Sequence, residues 1–163
     1  PWQRIVEISA AGLFAGGWGA KEDFILISRD GYSVTDLATG KLVMRNLEGS
    51  LARHPLDDML YNDDLSFRIP EMDYDINVFG RNAGDGIRTA GGGWVLETIY
   101  PRWPGKTVTL RQALRGIPTA IEDYAAIKHG IDSSWLRTGF SPSGRHFVIM
   151  GDGGMVIFSR QFT

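Results

Sequence analysis

Two segments near opposite ends of the chain are built alike, and they constrain the fold more than any other feature. Residues 24–42, "FILISRDGYSVTDLATGKL", run through an apolar strand, an Asp-Gly turn, a second strand and an Ala-Thr-Gly turn. Residues 147–160, "FVIMGDGGMVIFSR", place an apolar strand, an Asp-Gly turn and a second strand in the same order. Short apolar runs bounded by such turns are β-hairpins, because Gly and a few small polar residues accept the positive φ of a tight turn. The 21 glycines fall in clusters between strand-like runs, which marks turns rather than disorder.

The remaining segments follow from the same reading. Residues 2–8 form a first strand, and a Gly-rich loop over 12–19 then exposes Phe14 and Trp18. Residues 24–28, 32–36 and 41–46 make a three-stranded meander. Further strands are expected at 75–79, 94–100 and 107–110, with a flexible Gly-rich tip over 80–93 and a bend where Pro101 and Pro104 forbid regular ladder bonding. One or two short helices are expected, at about 51–61 behind Ser50 and at about 118–129. In the second, Pro118 suits the first turn, Ile121, Tyr124, Ala125 and Lys128 follow helical spacing, and Gly130 ends it. The expected fold is mainly β: antiparallel meanders and hairpins in one compact sandwich- or barrel-like domain over 1–163. A chain of this length hides roughly 68–70% of its unfolded surface, enough for a core.

Composition removes several classes of chemistry. The chain has no cysteine, so disulfides, thiolate zinc sites and cysteine nucleophiles are excluded, and a cytoplasmic location is expected. No apolar run approaches the roughly 20 residues of a membrane span. The opening "PWQRIVEISA" lacks the features of a signal peptide, while Pro1 in place of Met fits processing or trimming ahead of it.

Charge is unevenly spread. Residues 1–100 carry 15 acids against 9 bases, and residues 101–163 carry 8 bases against 4 acids. Within residues 56–75, Asp57, Asp58, Asp63, Asp64, Glu71, Asp73 and Asp75 face only Arg68, with Met59, Tyr61, Phe67, Met72 and Tyr74 interleaved. Aromatic and Met anchors among complementary charge are what protein interfaces use for affinity and steering. The stretch lacks the alternating ligands, central Gly and final Glu of an EF-hand loop, so no metal is expected.

Other motifs fail on spacing. After Gly84 and Gly86, a dinucleotide fingerprint needs Gly where Thr89 stands, and Tyr100 stands where a Walker loop ending in Gly105-Lys106-Thr107 needs Gly. His54, His129 and His146 are each isolated. A pair of His146 with Ser141 or Ser143 has no supporting nucleophile motif, so no catalytic residue and no cofactor are assigned. The acidic half argues against a nucleic-acid partner, whose phosphates it would repel.

Two resemblances follow from these residues. The terminal hairpins, with "GFSPSGRHF" before the second and "DLATGKL" after the first, resemble blades of WD-repeat or quinoprotein-like propellers over about a quarter of the chain. Residues 50–135 do not repeat, so two packed meanders are expected rather than a ring of blades. A small, cysteine-free, mildly acidic β-rich chain with one dense acidic face is also similar to bacterial immunity proteins, including those of contact-dependent inhibition. That resemblance implies a non-enzymatic inhibitor that caps the active site of a cognate, basic protein toxin, many such toxins being nucleases. Asp57, Asp58, Asp63, Asp64, Glu71, Asp73 and Asp75 would supply charge, and Tyr61, Phe67 and Tyr74 burial. The alternative is a small enzyme or ligand-binding domain whose cleft lies between the Gly-rich loops, with Asp85, Arg88 and tryptophans around a polar ligand. A third reading is a scaffold module.

Overall fold

The computed structural model describes residues 2–47, 64–69, 71–102, 105–113 and 125–161. Among these the chain is built of antiparallel strands, with no α-helix, and no sheet closes into a barrel. The first sheet is a meander of β2 (Leu13–Trp18), β3 (Phe24–Ser28), β4 (Gly31–Asp36) and β5 (Lys41–Asn46). A hairpin of β6 (Ser66–Ile69) and β7 (Tyr74–Asn77) follows, and β8 (Phe79–Gly80) then adds to the first sheet beside β2. The second sheet contains β9 (Thr89–Ala90), β10 (Trp94–Arg102), β11 (Gly105–Gln112) and β12 (Ala125–Ala126). The third holds β13 (Arg137–Phe140), β14 (His146–Gly151) and β15 (Gly154–Arg160), completed by β1 (Trp2–Ser9) on the outer edge of β15.

The two similar hairpins pack against each other. Side chains alternate across a strand, so each hairpin has two apolar faces to bury. From β3, Phe24 and Leu26 join Val148, Met150, Met155 and Ile157 of the third sheet in one core. Their neighbours Ile25 and Ile27 turn the other way, onto Phe67, Ile69, Ile76 and Val78 of the β6–β7 region. On the far face of the third sheet, Phe147, Ile149, Val156 and Phe158 cover Leu96, Val108 and Leu110 of the second. The layers therefore run second sheet, third sheet, first sheet, hairpin. The two inner layers are covered on both faces, which is why their central strands β3, β14 and β15 carry nearly continuous apolar runs.

Glycine makes the fourth strand of each meander possible. A Cβ on Gly31 would lie 1.9 Å from the Asn46 carbonyl oxygen of β5, and one on Gly154 would lie 2.2 Å from that of Ile8 in β1. The two glycines hold matching places after their turns, so β1 serves the third sheet as β5 serves the first.

Three expectations are corrected. Residues 13–18, read as a loop that exposes Trp18, are an inner strand, and Trp18 is 9% exposed. Gly16 and Gly17 belong there because a Cβ would strike the Phe24 ring at 2.7 Å and the Asn77 carbonyl oxygen at 2.5 Å. In the proposed second helix, Ala125 and Ala126 are instead a strand paired with Leu110 and Thr109, since a free edge of β11 accepts any extended segment. Residues 118–124 and the helix expected at 51–61 lie outside the described residues. The segment at 80–93, expected to be a flexible tip, is tied down at its start and middle while mostly exposed: Gly80 bridges Gly84, and Ile87 bridges Phe140 of β13.

Candidate functional site

The described part of the acidic stretch is the β6–β7 hairpin, where Arg68 stands opposite Asp75. Arg68 reaches both Asp75, at 3.6 Å, and Asp73 in the turn. These groups are more than half exposed, so the pairs contribute about 0–1 kcal/mol each and only partly offset the acidity of the face. Asp64 is fully exposed and accepts the Ser66 N–H at 3.0 Å and hydroxyl at 2.6 Å. Those bonds hold its carboxyl below the usual range.

The other described members have work inside the molecule. Glu71 accepts the Tyr32 hydroxyl and, at 2.8 Å, the Asn46 amide, which ties the turn to the first sheet. Phe67 was expected to offer burial to a partner, but it sits on the inward side of β6, is 4% exposed and packs on the Tyr32 ring. Tyr74 donates to Asp23 at 3.0 Å, and burial, together with the Asp23 charge, raises its pKa. Asp57, Asp58, Tyr61 and Asp63 lie outside the described residues. Asp64, Asp73 and Asp75 are thus the described carboxylates of this stretch that remain exposed and whose bonds stay within the hairpin and its approach.

A cleft of about 260 Å³ opens at the end of this hairpin. Its floor is the buried Trp18, Phe79 and Phe140, and its rim is Leu65 and Ile87, 38% and 51% exposed. Asn77 and Asp85 add polar groups. Phe79 owes its place to two glycines: a Cβ on Gly86 or Gly139 would stand 3.0 or 2.9 Å from its ring. The segment carrying Asp85 is fixed along β13 by Gly86 N–H to Thr138 O at 2.9 Å and Phe140 N–H to Ile87 O at 2.7 Å. One Asp85 oxygen accepts the Thr138 N–H at 3.0 Å. Among the described residues no basic side chain pairs with Asp85 or Asp64.

The acidic stretch and the cleft are contiguous. Val78 donates its N–H to the carbonyl of Leu65 at 2.7 Å, so the rim residue Leu65 sits directly after Asp64 at the hairpin's open end. Of the cleft foreseen between the Gly-rich loops, the fold assembles Trp18 and Asp85. It does not add Arg88, which is tied to Leu96 of β10, or Trp94, which packs on Trp2 in another core. The signal for Trp18 was the pair of glycines before it, since Gly inside a strand marks close backbone approach.

Behind Trp18 lies a clamp between the first and third sheets. Glu22 has φ of 63°, in the left-handed region, at the β2–β3 turn. From there it accepts the Ser143 N–H at 3.0 Å and lies 3.5 Å from His146 Nε2, whose ring stacks on Trp18. Burial raises the Glu22 pKa, but the Ser143 and Ser141 bonds and the nearby imidazole outweigh it and leave the carboxyl low. Burial lowers the pKa of His146, and Arg145 adds to that against the opposing pull of Glu22. Ser141 accepts the His146 backbone N–H at 3.2 Å and lies 3.4 Å from the Ser143 hydroxyl, while His146 Nδ1 is buried without a partner. A nucleophile and its base would need a serine hydroxyl on the imidazole, and this arrangement supplies none.

Among the described residues no three His, Asp or Glu side chains gather to hold a metal ion, and no helix is long and apolar enough to cross a membrane. Comparison with family models, curated proteins and solved structures finds no match to this chain.

Proposed function

We propose that this chain is a non-enzymatic protein-binding domain for a basic partner, and that it acts in the bacterial cytoplasm as an immunity protein that covers the active site of a cognate toxin. The observation that carries this reading is the contact between charge and apolar surface. Among the described residues Asp64 and Asp85 have no cationic partner. Asp85 lines a cleft whose rim exposes Leu65 and Ile87, and Asp64 directly precedes Leu65 in the chain. Asp73 and Asp75 extend the same sign of charge, diluted among the described residues by Arg68. Rim charge of one sign steers a partner of the other, and an apolar centre supplies the affinity.

A second reading, a small-ligand site, draws support from the same cleft. Its volume of about 260 Å³ is close to the lower end, about 300 Å³, of pockets that enclose a small molecule, and it also accommodates a single protein side chain.

The test is the association rate. The partner is isolated by affinity capture on the full chain, and its association is followed by stopped flow in low and high salt. Asp64→Lys combined with Asp75→Lys is expected to slow association about tenfold in low salt, with the difference shrinking in high salt as screening grows. An unchanged rate overturns the reading.

A further inference from the structure

Resting on that reading, we infer that the cleft receives one apolar side chain from an extended basic segment of the partner, with a neighbouring arginine or lysine of that segment at Asp85. The floor is made of the aromatic side chains of Trp18, Phe79 and Phe140, and Leu65 and Ile87 continue the apolar lining outward to solvent. A charged tip in that floor would lose its water without a counter-charge, whereas an apolar side chain gains burial there. The charge belongs at the mouth. Asp85 is exposed, and its hydrogen bond from Thr138 holds the carboxylate in one orientation while leaving capacity to accept from a cation. Asp64 directly precedes the rim residue Leu65 in the chain, so a second basic residue of the segment has a second exposed carboxylate to meet. A central apolar anchor inside a rim of complementary charge is where binding energy concentrates in protein interfaces.

The floor is already built. Phe79 is wedged between Gly86 and Gly139, and the 85–87 segment is bonded to β13, so binding does not have to order them. Preorganisation of this kind raises affinity by removing an ordering cost.

The probes are three capped pentapeptides, Gly-Arg-Leu-Arg-Gly, Gly-Arg-Ala-Arg-Gly and Gly-Gln-Leu-Gln-Gly, titrated into the full chain. The readout is the indole N–H resonance of Trp18 and the methyl resonances of Ile87. The Arg-Leu-Arg peptide is expected to shift both sets and to bind at least tenfold more tightly than either control. Asp85→Asn keeps an oxygen for the Thr138 N–H and removes the charge. It is expected to weaken the Arg-Leu-Arg peptide several-fold and leave the Gln-Leu-Gln peptide unchanged. Ile87→Ser, at an exposed position the core does not need, is expected to weaken both leucine peptides. Equal binding of the Leu and Ala peptides, equal binding of the Arg and Gln peptides, or binding by none overturns the inference. Failure of the peptides with charge-dependent association of the whole partner removes the cleft assignment alone. Peptide binding with no effect of the Asp64 and Asp75 reversals on the whole partner removes the broader reading instead.

Discussion

Gly154 approaches Ile8 so closely that a Cβ on it would stand 2.2 Å from the Ile8 carbonyl oxygen, and its φ of 144° is one that side chains rarely adopt. The pairing of β1 with β15 therefore depends on a missing side chain. Gly154→Ala is expected to cost about 2–3 kcal/mol, combining backbone strain with displacement of β1. Thermal unfolding measures it, with Gly91→Ala as control because nothing stands within 4 Å of a Cβ there. Equal melting temperatures for the two variants would show that β1 does not need the close approach.

The core between the two similar hairpins offers a second measurement. Phe24 is fully buried among Val148, Met150 and Ile157, whereas Val43 on β5 is 61% exposed. Phe24→Ala is expected to lose about 3–5 kcal/mol and Val43→Ser no more than about 0.5. Denaturant titration separates them, and a small loss at Phe24 would mean the two sheets are not packed as described.

Arg68 dilutes the acidic face without holding the fold together. Its pairs with Asp73 and Asp75 are exposed, so Arg68→Gln is expected to change stability by less than about 1 kcal/mol. The same change should speed association with a basic partner in low salt, because the carboxylates lose their only pairing cation on the hairpin. A slower association would count against steering by this face.

Acid should loosen the clamp behind Trp18, in a definite order. His146 of the clamp, and His129 near Arg4 on β1, have pKa values lowered by burial, so the unfolded chain takes up their protons first. Their contribution to stability is complete above about pH 6.5 and is lost as pH falls through the lower folded values. Glu22, also lowered, adds a contribution complete above about pH 4.5 that disappears further down. Melting temperature followed from pH 7.5 to 3 should fall in both windows. His146→Gln should shrink the upper one to the part due to His129, and an unaltered profile in that variant would dismiss the His146 imidazole as a source.

The candidate site was legible in fragments. Asp64, Asp73 and Asp75 stand out in the sequence by charge density, and they are exposed. Phe67 and Glu71 belong to the same run but do different jobs, because β6 alternates and the turn leans on Tyr32 and Asn46. The alternation of Ser66, Phe67, Arg68 and Ile69 puts Phe67 on the apolar face, but only the fold shows that the first sheet covers that face.

What the sequence determined by itself is the set of strands and their turns: the runs at 2–8, 24–28, 32–36, 41–46 and 147–160 carry apolar pattern and glycine at fixed offsets, and both signals are local. What the tertiary structure decided is where glycine means contact rather than a bend, and which edge a weakly committed segment joins. Gly16 and Gly17 look like a loop until the Phe24 ring and the Asn77 backbone arrive beside them. Ala125 and Ala126 look helical until β11 presents an edge. The cleft likewise exists only because residues 18, 65, 79, 85–87 and 140 meet across layers. Hydrogen-bonding edges and packed faces come from distant parts of the chain, and no window of neighbouring residues contains them.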